Sequence, residues 1–243
     1  MKKLLFLLIS LNLFADSIYA SFDVVAQKSA KLSLQSFGIV NKINVDVGKS
    51  VKKGDILLEL DSSIEQVGLE ESNVQQKLAN EALTLAISTL KRYEQVKSVL
   101  NEQILDEINF KKSEAEQRLK SARMSSKKYE TLINQKKLKA PFDGVITAKY
   151  IEVGEGVASP NQPLLILDSY PEVKLLLSFD EKYSDKVKVG NTYEYSINGL
   201  NMKGVISKIY PNIDIKTRKI YAEVLANDIQ IGSFGDGYII TDK

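Results

Sequence analysis

The sequence contains no histidine, no cysteine and no tryptophan among its 243 residues. Histidine and cysteine supply the base or nucleophile of the common acyl-transfer sites, and they are the usual ligands of zinc and copper. The composition therefore favours a non-enzymatic protein, and we expect neither a metal site nor a cofactor. Because cysteine is absent, no disulfide pattern indicates the redox compartment.

An excess of charge of one sign is also missing. The chain has 33 basic and 31 acidic side chains, which gives a net charge of +2. A nucleic-acid-binding protein needs a basic face to neutralise phosphates, so this balance argues against nucleic acid as a partner. The apolar fraction of 44% is ordinary for a folded protein.

The N-terminus has the pattern of a secretory signal peptide. Lys2 and Lys3 form a positive region, and an apolar stretch runs from Leu4 to Phe14. Ser17-Ile18-Tyr19-Ala20 then offers a small residue before a cleavage point, so we expect a leader over residues 1–20 and a mature chain starting near Ser21. An uncleaved anchor is the alternative. No other stretch approaches 18 consecutive apolar residues, so we expect a soluble mature protein.

A long helical insertion is predicted over residues 62–137. From Leu69 to Ala140 the sequence has neither glycine nor proline, and it is rich in good helix formers. Asn101, followed by Glu102, is typical of a helix start. We expect two helices of about 35 residues that pack as an antiparallel coiled coil, with one continuous helix as the alternative. The predicted packing stripes occupy positions 64, 67, 71, 74, 78, 82, 85, 89, 93, 96 and 100, and then 105, 108, 112, 115, 119, 122, 126, 129 and 133.

The segments on either side of this insertion repeat each other. Gly38, Gly48 and Val51 recur as Gly144, Gly154 and Val157 at a constant offset of 106 residues. A leucine pattern at 57, 58 and 60 recurs at 164, 165 and 167. Glycines at turns with alternating apolar residues between them predict short strands. We expect residues 35–61 and 138–169 to interlock into one small β-sandwich.

The remaining residues predict a second β-domain. From residue 170 to 243, short alternating strands are separated by turns at the spacing of a small β-barrel, and residues 21–34 are expected to complete it. The predicted fold is therefore mixed β and α: a split sandwich, a long antiparallel helical hairpin and a small β-barrel.

The two repeated segments resemble the halves of a lipoyl/biotinyl domain. The resemblance rests on the stretches Val47–Leu57 and Ala140–Ile146. Carrier domains of that family display a modified lysine in the turn between their halves. Here the junction reads Leu60-Asp61-Ser62-Ser63 and contains no lysine. A lipoyl or biotinyl carrier subunit is therefore kept only as the alternative of another class.

A lipoyl-like domain split by a helical hairpin and followed by a barrel resembles the periplasmic adaptor, or membrane fusion protein, family. The segments Lys186–Asn191 and Gly204–Pro211 are similar to the family's barrel motifs. The resemblance implies a non-catalytic periplasmic protein that links an inner-membrane transporter, most typically of RND type, to an outer-membrane channel. It also implies self-association into a ring, which is hexameric in the family. Adaptors of ATP-driven exporters or of type I secretion, and a structural coiled-coil fibre, are the alternatives.

The resemblance also places a partner-binding site at the hairpin tip. Family tips carry an arginine, a leucine four residues later and a serine seven beyond that, and this sequence has Arg92, Val96 and Asn101 near those positions. Valine replaces leucine, and Asn101 falls two residues early. A solvated surface cation is the alternative reading of Arg92. The family's membrane-proximal domain is expected to be absent or vestigial.

Overall fold

The computed structural model describes residues 16–95, 101–159, 161–197 and 199–241. In this part of the chain, two long helices, short sheets and a barrel confirm the predicted mixed β and α fold. The chain divides into two compact units, one built around the barrel and one containing both helices. The helices are α1 (Ser63–Glu94) and α2 (Glu102–Gln135). The strands are β1 (Asp16–Ala26), β2 (Ser29–Leu32), β3 (Gly38–Ile43), β4 (Ser50–Val51), β5 (Ile56–Leu60), β6 (Lys137–Lys139), β7 (Gly144–Lys149), β8 (Gly156–Val157), β9 (Leu165–Asp168), β10 (Glu172–Asp180), β11 (Thr192–Ile197), β12 (Leu200–Asp214), β13 (Lys219–Asn227) and β14 (Phe234–Thr241).

Six strands close into a barrel in the order β1-β10-β13-β12-β11-β14, and all neighbours are antiparallel. Successive side chains of a strand point to opposite faces, so apolar residues at every second position fill the interior. In β10, Val173, Leu175 and Leu177 are completely buried, as their alternation in the sequence predicts. A cluster of aromatic rings at Phe22, Tyr193 and Tyr195 occupies the same core.

The first barrel strand starts earlier than the sequence suggested. β1 begins at Asp16, whereas the barrel was expected to begin at residue 21. Ile18 and Ala20 are buried in the barrel core, with 2% and 0% of their surface exposed. Residues 16–20, which the sequence pattern assigns to the leader, are therefore part of the barrel in the structure.

The two repeated segments interlock as predicted. One sheet has the order β2-β9-β7-β4 and the other the order β6-β5-β3-β8, so both sheets combine strands of the two halves. The first sheet also contains β2, which lies in the segment 21–34 that was expected to complete the barrel. The repeat carries over to the backbone, because Gly48 and Gly154 occupy equivalent turns with φ of +85° and +92°. Only glycine adopts such angles without strain. The recurring leucines form the core between the sheets, where Leu57, Leu58, Leu60, Leu164, Leu165 and Leu167 are each at most 2% exposed.

The helices form an antiparallel hairpin, so the alternative of one continuous helix is wrong. The Ser72 and Ser125 hydroxyls are 3.2 Å apart, and nearer the base Glu65 forms a 2.9 Å ion pair with Lys136. A lower residue number on α1 is thus matched with a higher one on α2, as antiparallel helices require. At the base, β5 pairs directly with β6, so the strands that enter and leave the hairpin are hydrogen-bonded to each other.

The packing stripe predicted for α2 is confirmed, and the one predicted for α1 is wrong. On α2, Ile108, Ala115, Leu119 and Ser126 are buried. On α1, by contrast, Ile64, Val67, Val74, Leu78 and Leu85 are exposed to solvent. A different face of α1 meets α2 because small and polar side chains allow the helices to approach closely there. The less exposed residues of α1 are Glu65, Gly68, Leu69, Ser72, Gln76, Ala79, Leu83, Ala86, Thr89 and Leu90, and only Thr89 among them belongs to the predicted stripe.

Candidate partner-binding surfaces

Arg92 lies in the last turn of α1, next to the end of the hairpin. Its side chain is exposed, and its Nη2 donates a hydrogen bond to Oγ1 of Thr89 at 3.1 Å. This bond uses one of the five N–H donors of the guanidinium and orients the group along the helix. The position suits a cation, because the carbonyl end of a helix carries partial negative charge. An oriented guanidinium is able to bind a carboxylate or a backbone carbonyl of a partner.

Asn101 begins the returning helix, as predicted. It is the N-cap of α2, and its side-chain oxygen accepts a hydrogen bond from the backbone N–H of Gln103 at 3.0 Å. This bond satisfies one of the N–H groups that a helix start leaves without an intrahelical acceptor. Asn101 therefore has a structural role that is independent of any partner. Val96, the third predicted tip residue, lies outside the described residues.

A row of exposed apolar side chains runs along α1, and we call it the α1 stripe. More than half of the surface of each member is exposed, from 54% at Val74 and Leu78 to 84% at Ile64. The other members are Val67, at 67%, and Leu85, at 64%. Their spacing in the sequence predicts that they pack against α2, but the structure leaves them on the surface. A row of exposed apolar side chains along one helix is a candidate interaction surface.

The α1 stripe continues into a groove between the two helices. The groove has a volume of about 390 Å³ and is lined by Ala82, Leu85 and Tyr93 of α1, with Ala115 and Arg118 of α2 among the residues opposite. Ala82 and Ala115 leave the groove open because each side chain is only a methyl group. The groove is large enough to accept an apolar side chain of another molecule.

The outer surfaces of the two helices carry opposite charge. In the half of α1 nearer the sandwich, Glu70 and Glu71 are exposed. At the same level of α2, which the Ser72–Ser125 contact defines, the exposed side chains include Lys120, Arg123 and Lys127. We call these three residues the α2 basic face. Both surfaces are open to solvent, so they are candidate surfaces for contact with another molecule.

The junction where a carrier domain would display its modified lysine has a different structure. The Asp61 carboxylate accepts hydrogen bonds from the hydroxyl and the backbone N–H of Ser63, and these bonds lower the pKa of Asp61. They fix the chain as it passes from β5 into α1. Within residues 16–95, 101–159, 161–197 and 199–241, His, Cys, Asp and Glu form no group of three or more that would bind a metal ion. In the same ranges, neither helix has an apolar stretch long enough to cross a membrane.

Comparison with known proteins identifies the family. Residues 28–168, more than half of the chain, match the family model of the CzcB-like barrel-sandwich hybrid domain. The chain belongs to this family. This match and the relatives below confirm the predicted resemblance to the membrane fusion, or adaptor, proteins of efflux systems, and they agree with the prediction of a non-enzymatic protein.

Individual relatives agree with this assignment. The chain is 26% identical over 215 residues to the cobalt-zinc-cadmium resistance protein CzcB of Cupriavidus metallidurans, covering 84% of this chain and 40% of that protein. It is 23% identical over 214 residues to the multidrug resistance protein MdtA of Shigella boydii, covering 83% of this chain and 52% of that protein. The chain thus spans about half the length of the curated relatives it matches. The fold is similar to that of the membrane fusion protein Spr0693 from Streptococcus pneumoniae, with a TM-score of 0.70 at 15% identity over 93% of this chain and all of that one.

Proposed function

We propose that this chain is a periplasmic adaptor that links an inner-membrane efflux transporter, of RND type, to an outer-membrane channel. The observation that carries the proposal is the hairpin inserted between the interlocked halves of the sandwich. Its 32-residue first helix extends about 48 Å from strands that are paired at its base. A rod of this length is suited to bridging two partners.

In this proposal the hairpin tip contacts the channel. Arg92 is exposed in the last turn of α1 and is oriented by Thr89. A planar guanidinium forms paired hydrogen bonds with carboxylates, which a lysine ammonium does not reproduce. The barrel is the part of the chain left to contact the transporter.

We also propose that copies of the chain associate side by side into a ring of six. The α1 stripe of one copy would pack against α2 of the next, where Glu70 and Glu71 would meet the α2 basic face. Such a contact joins two different surfaces, so it is repeated from copy to copy and closes into a ring when the rotation allows. It would also remove from water an apolar surface that a single copy leaves exposed.

A cross-linking experiment tests the ring. The natural chain has no cysteine, so introduced thiols report only on the chosen positions. Val74 and Met124 are 54% and 64% exposed, and they lie at nearly the same level of the hairpin. We expect the double variant Val74→Cys/Met124→Cys to form a ladder of oligomers up to six on oxidation. The two single variants are the controls and should stop at dimers. A double variant that also stops at dimers would contradict the ring.

Purification of the complex tests the partners. The chain carrying a C-terminal tag is isolated from membranes of its own host in mild detergent, and the proteins retained with it are identified by mass spectrometry. We expect an RND-type transporter and an outer-membrane channel. An ATP-driven transporter in place of the RND protein would instead support the exporter or type I secretion alternative. Retention of neither a transporter nor a channel would contradict the adaptor function.

A deletion strain tests transport itself. The named relatives are a metal resistance protein and a multidrug resistance protein, so susceptibility is measured for divalent cobalt, zinc and cadmium and for a panel of drugs. We expect greater susceptibility to at least one class in the deletion strain and restoration by the wild-type gene. Unchanged susceptibility to both classes would count against an efflux adaptor.

A further inference from the structure

Two alanines near the N-terminus are candidate cleavage points for a signal peptidase, Ala15 and Ala20. The enzyme needs a small residue immediately before the bond it cuts. Both alanines meet this need, and both have a large apolar residue two positions earlier, Leu13 and Ile18. The local sequence therefore does not distinguish between the two points.

The barrel does distinguish between them, because residues 16–20 lie inside its fold. Ile18 and Ala20 are 2% and 0% exposed, and they are part of the barrel core. A cut after Ala20 would remove both side chains and leave a cavity at the end of the barrel. Buried apolar groups of this kind contribute strongly to stability.

Polar contacts of the same residues would also be lost. The Tyr193 hydroxyl, in a side chain with no exposed surface, donates to the carbonyl oxygen of Ala20 at 2.7 Å. The Asp16 carboxylate forms a 2.6 Å ion pair with Lys186, and its backbone carbonyl accepts from Oγ1 of Thr241 at 3.1 Å. A buried hydroxyl that loses its acceptor destabilises a fold.

The seam of the barrel depends on these residues as well. β1 and β14 pair from Asp16–Thr241 to Asp23–Phe234, and this ladder closes the barrel. After a cut at Ala20, only Ser21, Phe22 and Asp23 would remain to pair with β14. Much of β14 would then become an open edge, which invites pairing with other chains.

We propose that the leader is removed between Ala15 and Asp16, so that the mature chain begins at the first residue of β1. This proposal rests on the export to the periplasm that the proposed function requires. In the reaction, one water molecule adds to the carbonyl carbon of Ala15 and the C–N bond to Asp16 breaks. The leader leaves with a carboxylate on Ala15, and Asp16 gains a free α-amino group.

The N-terminus of the exported protein tests the proposal. The full-length gene with a C-terminal tag is expressed in a Gram-negative host, and the purified protein is studied by N-terminal sequencing and intact mass. We expect a single species that begins at Asp16. A chain that begins at Ser21, or one that retains Met1, would overturn the proposal. Retention of Met1 would leave the adaptor function standing, because that function is judged by the proteins that co-purify.

Three variants of the full-length gene give an independent readout. Ala15→Leu removes the small residue before the proposed cut, so precursor should accumulate with processing at least tenfold slower. Ile18→Ala should lower the Tm of the purified mature protein by about 5 °C or more, because residue 18 remains in its core. Tyr19→Ala, at a 55% exposed position of the same strand, is the control and should change Tm less. If the cut instead followed Ala20, Ala15→Leu would be processed normally, and Ile18→Ala would yield a mature protein with the mass and Tm of wild type.

Discussion

The phenol ring of Tyr129 on α2 occupies the space that a side chain on Gly68 of α1 would need. A Cβ atom added to Gly68 would lie 2.3 Å from Cε1 of Tyr129, well inside contact distance. Glycine inside a helix normally weakens it. Here its lack of a side chain lets the two helices approach closely near the base of the hairpin, where the ring of Tyr129 packs directly on the α1 backbone.

Gly68→Ala should therefore destabilise the protein, although alanine is the better helix former. The gain in helix propensity is at most ~1 kcal/mol. Forcing a methyl group into a filled contact costs about 1–3 kcal/mol. We expect a net loss of roughly 1–2 kcal/mol in the free energy of unfolding, measured by chemical denaturation. The double variant Gly68→Ala/Tyr129→Leu should recover part of the loss, and a single variant as stable as wild type would show that the contact is not tight.

Arg92→Asp should abolish transport without unfolding the protein. The variant places a carboxylate where we propose that a guanidinium binds the channel, and exposed substitutions typically change stability by ~0.5 kcal/mol or less. Lys91→Asp is a matched control, because Lys91 is an exposed cation in the same last turn of α1 but points in another direction. Susceptibility and Tm are measured together for both variants. Equal transport defects would indicate a general effect of charge at the helix end, and normal transport by Arg92→Asp would support the solvated-surface reading.

Leu78→Glu should weaken self-association and leave the fold intact. Leu78 is 54% exposed in the α1 stripe, so a charged side chain there remains in water in a single copy. In the proposed ring the same charge would be buried against an apolar surface. Phe110→Glu on α2 is the control, because Phe110 is 69% exposed and lies outside the stripe. Sedimentation velocity at several concentrations should show smaller species for Leu78→Glu only. The same loss in both variants would argue against a specific role of the stripe.

The stability of the barrel should depend on pH through Glu223. Desolvation raises the pKa of this carboxyl, but hydrogen bonds from Lys174 at 2.6 Å and from Tyr210 outweigh it, so the pKa in the folded state lies below the usual 4.5. A lowered folded-state pKa means that the carboxylate stabilises the fold above the unfolded-state value. This contribution is lost as the pH falls through the folded-state pKa.

Glu223→Gln measures this contribution. At neutral pH the variant should lose about 1–3 kcal/mol in the free energy of unfolding, because Lys174 and Tyr210 lose a charged partner. Below pH 4 the difference between wild type and variant should shrink, since protonation also removes the charge in wild type. Denaturation curves at pH 7 and at pH 3 to 4 provide the comparison, and a difference that stays constant with pH would contradict the assignment.

The hairpin shows where sequence patterns predict packing and where they do not. On α2 the large apolar residues have a single 3,4 periodicity, so the stripe through Ile108 and Leu119 faces α1 as predicted. α1 has two candidate faces. The face with more large apolar side chains, including Leu78, is exposed. The packed face carries Gly68, Ser72 and the two alanines Ala79 and Ala86. Counting hydrophobic residues favours the wrong face, because small residues are selected for close approach and not for apolar area.

At the hairpin tip, too, one prediction is confirmed by the structure and another stays a prediction. Asn101 was predicted as a helix cap from its residue type and following acid, and the geometry confirms it. The prediction that Arg92 contacts a partner rests on the resemblance to the family. A cation at a helix end is common whether or not a partner binds it, so the local sequence does not reveal the contact. The sandwich was the most predictable part, since Gly48 and Gly154 recur with the leucines at nearly constant spacing and adopt the same backbone conformation.

The direct pairing of β5 with β6 makes the length of the hairpin independent of the domain that carries it. Those strands are paired at the base of the hairpin, with Leu58 opposite Leu138, between the sandwich and the two helices. Adding one heptad to each helix would move the tip about 10.5 Å outward without altering a contact below the base. The number of heptads therefore sets the reach of the hairpin, so the proposed bridging distance could change while the sandwich and the barrel stay the same.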